Sequence, residues 1–577
     1  MPRIKKFNPR QKHKHSDLSI KNVSVNTVPP PNLNNENHDA NNASCRSSSS
    51  KKKLSYLENE SYSDNNTSSG SLIIDLDIIS QLIESNVACK YCKNVNSVKL
   101  VEDISCRRGL ATKIILECSI CKVKNSVMSS SVNRNRIYNV NIRLSYAMRC
   151  IGKGQRSAKT FCGIMDLPPP STKFMKSNSI ILNSLKEVAE GCMLNAAKEA
   201  KMINNNSGDI VAACDASWQK RGHTSLNGVV TITSADTGKV LDAECLTKHC
   251  HGCISGKGRH KCMKNYTGAS GGMEAEGAVK MFERSVWHRG LRYVKYLGDG
   301  DSKGFLKVQD SKPYGNNVLI EKLECVGHVQ KRLGTRFRKL RKDLGVKKLS
   351  DNKPIKGRGR LTDAEIDKLQ HYFGLAIRRN TGNLKAMKKA IWATFLHKMS
   401  TDAEPKHHLC PLGMESWCGF RRQEAGGPKY THKNSLPEAV LEAIEPVYKS
   451  LTDDSILRKC LHGGTQNVNE SFNRSIWQRI PKTEFVGMRS LQIGVYDAII
   501  CFNGGAMSRK VVLENMGLKP GANMVKAMLQ IDHERVATSE KAILQSSMEA
   551  RIMKRNRKRK REDKEMEEQD DYGPGMF

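Results

Sequence analysis

From about Ile210 onward the sequence writes β structure in a restrictive order. "DIVAACDASW", "LNGVVTITS" and "KVLDAECL" follow one another as three strands with short connections, the second of them the turn "ADTG". A Gly-rich segment and a helix come next ("GGMEAEGAVKMFERSVWHRG"), then a fourth strand, "LRYVKYLGD", and a further one within "SKPYGNNVLIEKLECVGH". From about Val329 to Ser450 the text turns helical, with few β signals. Three meandering strands, a helix and a fourth strand form the start of a ribonuclease H-like arrangement, here followed by a long helical stretch.

Carboxylates fall at telling places on that frame. Asp215 lies inside the first strand, where an ionised group among apolar neighbours is costly unless a metal or a partner compensates it. Asp299 and Asp301 in "LGDGDSKG" end the fourth strand at a Gly-flanked turn. Glu470 sits in "CLHGGTQNVNESFNRSIW", roughly opposite the stripe of Val468, Phe472 and Ile476, with Asn467, Asn473 and Arg474 beside it. Three carboxylates from two strands and a late helix describe a hard, all-oxygen site for two Mg²⁺ or Mn²⁺ ions, as phosphodiester chemistry requires. Taken singly these acids are weak evidence, since a lone Asp at a strand end is more often a turn residue; the order of elements is what sharpens the inference.

The 19 cysteines suggest a second metal chemistry. "CKYC" and "CSIC" make two C-x-x-C knuckles, Cys89 with Cys92 and Cys118 with Cys121, in the pattern of a closed Zn²⁺ site with a β-hairpin between. "ECLTKHCHGCISGKGRHKC" offers Cys250, Cys253 and Cys262 as three soft ligands, and His260, His249 or Cys245 as the source of the fourth. "KHHLCPLGMESWC" (His407, His408, Cys410, Cys418) is a weaker third candidate. In each case the plain alternative is a set of core or surface thiols.

The chain carries 95 Lys and Arg against 58 Asp and Glu, and this excess of 37 positive charges calls for a polyanion. A membrane surface is disfavoured, since no window approaches the roughly 20 apolar residues needed for a span, and "MPRIKKFNPRQKHKHSD" lacks the apolar core of a signal peptide. The basic "KKK" near residue 52 and "KRNRKRKRE" from Lys554 read as nuclear-import or DNA-contact patches, or as solvated charge runs. In "VQKRLGTRFRKLRKDLGVKK", Leu333, Phe337 and Leu340 share one side while Lys331, Arg332, Arg336, Arg338, Lys339 and Arg341 surround the rest; such a helix packs on a core and offers cations to phosphate.

"CDASWQKRG", "NYTGASGGMEAEGA", "GDGDSK", "ECVGHVQKRLGTR", "TQNVNESFNRSIW" and "FNGG" occur in order and, over about residues 85 to 510, closely resemble the Mutator-like transposases of animal DNA transposons. The resemblance implies a ribonuclease H-like core with a D-D-E triad. Asp215 matches the first acid, the "GDGDS" turn supplies the second, with Asp299 favoured over Asp301, and Glu470 matches the third. "ECVGH" looks like the C-x-x-H motif of these superfamilies, here Cys325 and His328. The pair would either join a zinc site, or place His328 near the reacting phosphate while Cys325 packs, or simply be buried.

The resulting expectation is an α+β or α/β chain in seven parts: a disordered arm (1–72), a zinc-ribbon-like module (73–150), a helical linker (151–208), the first part of a ribonuclease H-like mixed sheet with helices (209–345), a helical insertion (346–458), the last part of the core (459–530) and a charged tail (531–577). The function expected is a nuclear DNA transposase, at least dimeric, that cuts and joins DNA with two Mg²⁺ or Mn²⁺ ions and carries structural Zn²⁺. Its rival is a domesticated or decayed transposase that binds DNA without catalysis, although none of the three acids is replaced. A ribonuclease H-like nuclease acting on RNA or hybrid fits the long insertion poorly.

Overall fold

The computed structural model describes residues 48–58 and 70–554, apart from 221–223, 257, 301–302, 434, 545, 548–549 and 552. Two compact units result, one formed by residues 410–431 and the other by the remaining described residues. The smaller holds a short helix, Gly419–Glu424, and the buried thiols of Cys410 and Cys418.

In the larger unit a five-stranded sheet occupies the centre. Its strands are β4 (Asp209–Trp218), β5 (Asn227–Ser234), β6 (Val240–Thr247), β7 (Arg292–Gly298) and β8 (Glu321–Glu324), in the order β6-β5-β4-β7-β8. The first three pair antiparallel, as short connections require, whereas β4–β7 and β7–β8 are parallel and joined through helices. Every residue of β5 is buried because both faces are covered. Val230 and Ile232 pack with Met273, Met281 and Phe282 of the Met273–Arg289 helix. Val229, on the opposite face, joins Phe472, Ile476, Leu491 and Val495 from two late helices, Asn467–Arg479 and Met488–Gly504.

The stretch read as a linker (151–208) is part of this core. Its 30-residue helix, Phe174–Ile203, buries Ile181, Leu185, Ala189 and Met193 against the same late helices. Asp497 on Met488–Gly504 is buried and accepts hydrogen bonds from Arg479 (2.6 Å), Arg509 (2.7 Å) and the Tyr146 hydroxyl (3.0 Å), tying distant parts of the chain to one carboxylate.

Between β8 and the Asn467–Arg479 helix, helical segments build a core of their own. Val326–Leu344, Asp363–Arg379, Leu384–Met399 and Glu438–Leu451 surround the Tyr448 ring, which lies 4.9 Å from Phe395, 5.8 Å from Phe337 and 6.1 Å from Phe373 by centroid. Leu333 and Phe337 of the basic helix are buried in this insertion core.

Toward the N-terminus, β1 (Val98–Arg108), β2 (Ala111–Cys118) and β3 (Lys124–Met128) form an antiparallel sheet preceded by the helix Leu76–Asn86. The expected hairpin between the knuckles is β1–β2, with Val98 opposite Cys118.

The arm read as disordered over 1–72 is folded at residues 48–58; residues 1–47 lie outside the described set. Leu54 is buried, Lys53 Nζ lies 3.7 Å from the Phe502 ring centroid, and the Tyr56 hydroxyl donates to Asp532 (2.7 Å). These side chains sit over Gly505 of "FNGG", whose φ is +83° and where a Cβ would approach Asp532 and Tyr56 to 2.7 Å. The tail read from residue 531 likewise begins inside a packed helix, Ala522–Ile543; residues 555–577 are not described.

Candidate metal and catalytic site

Strand register brings the first two acids together. Ala213 pairs with Leu297 as the last step of the parallel β4–β7 ladder, so Asp215, still within β4, and Asp299, just past the end of β7, stand at matching positions two residues beyond it. Asp301 lies outside the described residues.

The third acid is delivered by the Asn467–Arg479 helix, which is fastened along β4 by polar side chains. Gln466 Nε2 donates to the Cys214 carbonyl (2.6 Å), Asn469 Nδ2 to the Ala213 carbonyl (3.1 Å), Asn473 Nδ2 to Asp215 Oδ2 (2.7 Å) and Trp477 Nε1 to Ser217 Oγ (2.7 Å). These four residues recur at spacings of three and four, so they share one helix face. Asn469 and Asn473 are therefore buried, whereas the expectation had set Asn473 beside the exposed Glu470. Phe472 and Ile476 are buried as expected, and Glu470 projects outward from the same helix.

His328 stands between the acids. Its Nδ1 is 3.4 Å from Asp299 Oδ1 and its Nε2 is 3.6 Å from Glu470 Oε1. Lys331 Nζ approaches Glu470 to 3.5 Å, and Arg332 approaches Asp299 to 3.5 Å while pairing with Glu324 at 2.7 Å. Burial pushes the Asp215 carboxyl up to about 6, with Glu470 and Asp299 adding to the rise against the Ala216 N–H and His328. Burial also acts on Asp299, but the Gly300 N–H, His328 and Arg332 outweigh it and hold that carboxyl below its ordinary value. The His328 imidazole is raised, first by its bond to Cys325. Cys325 is buried, and its sulfur accepts the Gln466 N–H at 3.3 Å. Among the described residues, the C-x-x-H pair thus stands with the carboxylates and outside the thiolate clusters.

Asp215 is raised chiefly by its burial, while Asp299 and Glu470 are met by His328, Lys331 and Arg332. The all-oxygen donor set fits divalent Mg²⁺ or Mn²⁺. Beside it a cleft of about 410 Å³ is lined by Asp299, His328, Lys331, Arg332, Thr335 and Arg336.

The cations expected to contact DNA divide into two groups. Arg332 pairs with Glu324, while Arg338 pairs with Asp363 and Asp367 and Arg341 with Asp363, so these three are held by acidic partners and the last two fasten the basic helix to its neighbour. Lys331, Arg336 and Lys339 are exposed, Arg336 holding Ser450 Oγ at 2.6 Å.

Both cysteine knuckle sets assemble. Cys89, Cys92, Cys118 and Cys121 bring their sulfurs within 4.8 Å of one another, with Cys89–Cys121 and Cys92–Cys118 at 3.6 Å. A tetrahedral ZnS₄ centre with bonds of about 2.3 Å has edges of about 3.8 Å, so the set fits zinc. The Cys118 thiol is lowered to about 6, chiefly by the Cys121 backbone N–H. In the second set Cys253 lies 3.3 Å from His260 Nε2 and 3.5 Å from Cys262, and Cys250 lies 3.5 Å from His260. The Met263 and Cys253 N–H groups lower Cys250 to about 5. His260 is the fourth member; Cys245 is buried in the apolar core, and the His249 ring packs on Phe485 at 4.5 Å. Of the weaker third candidate, His407 Nε2 meets His432 Nε2 at 2.7 Å and its Nδ1 meets His397 Nδ1 at 3.2 Å, while the Cys410 thiol is raised first by Cys418.

Among the described residues no helix is long and apolar enough to cross a membrane. Residues 70–418, more than half of the chain, match the family described as Mutator-like transposase. That match covers Asp215, Asp299, His328 and both cysteine sets and ends before Glu470. No curated protein matches the chain.

Proposed function

The chain belongs to the Mutator-like transposase family, and on that premise we propose that it is a metal-dependent DNA transposase with a D-D-E site of Asp215, Asp299 and Glu470 on a ribonuclease H-like sheet. The sheet order, three antiparallel strands followed by two parallel ones, supports the fold assignment. The observation that carries the mechanism is the convergence of Asp299 and Glu470 on the two nitrogens of His328, with Asp215 as their electrostatic neighbour.

Two divalent ions held by these acids would supply an activated water or 3′-hydroxyl and charge stabilisation for the leaving oxygen. The protein's own residues prepare that chemistry. Asn473 holds Asp215 Oδ2 and so fixes the direction of its carboxylate. His328, Lys331 and Arg332 balance the acids before metal enters, and the imidazole lies where a phosphate oxygen in the cleft would meet it. Lys331, Arg336 and Lys339 offer cations to the DNA backbone, and the N-terminal zinc module is suited to recognising element ends. Pairing of two ends would call for at least a dimer, and a DNA substrate would call for a nuclear location.

The test compares wild type with Glu470→Gln for Mg²⁺- or Mn²⁺-dependent cleavage and joining of DNA bearing the element's own ends. Wild type is expected to cut and join, while the variant binds and does neither. Equal binding without cleavage by either protein would replace this reading with a non-enzymatic DNA-binding role.

A further inference from the structure

Lys322 lies beneath the active-site turn and has no part in the mechanism above. It sits on β8 opposite Tyr296 of β7, is 8 % exposed, and packs its ammonium 5.1 Å from the Tyr296 ring centroid and 5.7 Å from that of Phe305. Its Nζ donates to the backbone carbonyl of Asp299 at 2.7 Å. Burial opposes this ammonium, and the nearby carboxylates of Glu324, Asp299 and Glu274 favour it; the hydrogen bond to the Asp299 carbonyl is the directional part of what it contributes, which a methionine filling the same niche would lack.

That bond falls where the sheet stops supporting the chain. The β7–β8 pairing ends at Gly298 opposite Glu324, and the Cys325 N–H takes the Gly298 carbonyl at 3.2 Å. Asp299 is the next residue, with a glycine on either side. A Cβ on Gly298 would stand 2.4 Å from the Tyr296 ring and 3.3 Å from Lys322 Nζ; one on Gly300 would stand 1.6 Å from the Arg332 guanidinium. The two glycines therefore leave room for a cation on each side of Asp299. Arg332 takes the carboxylate from the cleft side, and Lys322 takes the main chain from within.

We propose that Lys322 is a positioning residue for the second acid, pinning the Asp299 carbonyl so that a glycine-flanked turn presents its carboxylate in one direction. The proposal rests on the reading of Asp299 as a metal ligand. Removing a partner that orients a ligand commonly weakens metal binding ten- to a hundredfold.

The experiment uses the full chain carrying Lys322→Met, which fills the niche without a donor, and Lys322→Arg, which retains one. Two quantities are read: hydrogen exchange at the Gly300 amide, which donates to Asp299 Oδ1 at 2.6 Å, and Mn²⁺ affinity followed by water-proton relaxation. Lys322→Met is expected to speed exchange at Gly300 and to weaken Mn²⁺ binding by about tenfold, with DNA affinity unchanged; Lys322→Arg is expected to recover part of both. Where the protein cleaves, the Mn²⁺ concentration for half-maximal rate rises while the rate at saturating Mn²⁺ stays close to wild type. Unchanged exchange, or faster exchange with unchanged Mn²⁺ affinity, overturns the proposal. Should Lys322→Met not fold, Lys322→Gln is read by the same two quantities and the same criteria. A wild type that binds Mn²⁺ without cutting DNA would defeat the transposase reading and leave the pin to be judged on exchange and Mn²⁺ affinity.

Discussion

The thiolate clusters, whose ligand atoms already lie within 4.8 Å of one another, and the group of Asp215, Asp299 and Glu470 are assembled by opposite means. Cys250 to Cys262 is a short stretch folded on itself, Cys89 to Cys121 is closed by the single β1–β2 hairpin, and backbone N–H groups already lower Cys118 and Cys250 toward the thiolate. Asp215, Asp299 and Glu470 come from β4, from the end of β7 and from a helix beyond the whole insertion, and their positions depend on strand register and a row of buried amides. The first kind is closed by local chain geometry, whereas the second is assembled by sheet register, with His328, Lys331 and Arg332 set against Asp299 and Glu470.

The largest effect that would break this contrast concerns zinc. Cys118→Ser, or a strong chelator, is expected to unfold the module of β1–β3, since structural zinc contributes on the order of 10 kcal/mol to such domains. Hydrogen exchange over residues 98–128 checks this; retained protection without zinc would place the two sites in one class.

Next in size is a carboxylate that already has its cations. Asp497 lies between Arg479 and Arg509, and although burial opposes ionisation, the two guanidiniums hold its carboxyl well below the ordinary range. Asp497→Ala leaves both arginines buried and unpaired, and a loss of about 3–5 kcal/mol is expected in chemical denaturation. A depressed folded-state value contributes stability above the unfolded value near 4 and loses it as pH falls, so the wild-type margin over the variant should shrink on acidification below about pH 4.

Asp215 is expected to behave in the opposite sense. Its carboxyl is raised to about 6, chiefly by burial, so the protonated form favours folding and that contribution disappears as pH rises through about 6. Metal-free Asp215→Asn should therefore be more stable than wild type at pH 8, by about 2–3 kcal/mol, with the gain vanishing below about pH 4. Thermal unfolding at the two pH values checks it, and an unstabilised variant would show that burying the ionised Asp215 carboxylate costs the fold nothing.

The smallest effect separates exposed from paired cations on the basic helix. Lys339→Ala is expected to weaken DNA binding a few-fold and to reduce the salt slope by about one. Arg338→Ala, which breaks pairs with Asp363 and Asp367, should lower stability and leave that slope nearly unchanged. A salt titration of both variants distinguishes the two roles.

Much of this was legible in the chain, for reasons that differ by residue. The knuckles could be read because zinc ligation by closely spaced cysteines is local. Asp215 was legible because a charged residue inside an apolar strand contradicts its surroundings. The polar row Gln466, Asn469, Asn473 and Trp477 was missed because amides read as surface until the strand carbonyls they satisfy are known, although their spacing along one face was a usable signal. The arm at residues 48–58 was misjudged because composition averages over a segment, whereas Leu54 and Tyr56 dock individually on Gly505 and Asp532. Arg338 and Arg341 looked like DNA contacts because their acidic partners lie on another helix.

By itself, the sequence determined which chemistries were available: thiols and imidazoles at zinc spacing, acids at a strand centre and a strand end, and a basic surface. The tertiary structure decided which acids meet, which cations face them and which are consumed in packing. Ligand spacing within a turn is governed by bonds between near neighbours. The meeting of Asp215, Asp299 and Glu470 depends on the β4–β7 register and on amides that find their acceptors only once the sheet has formed.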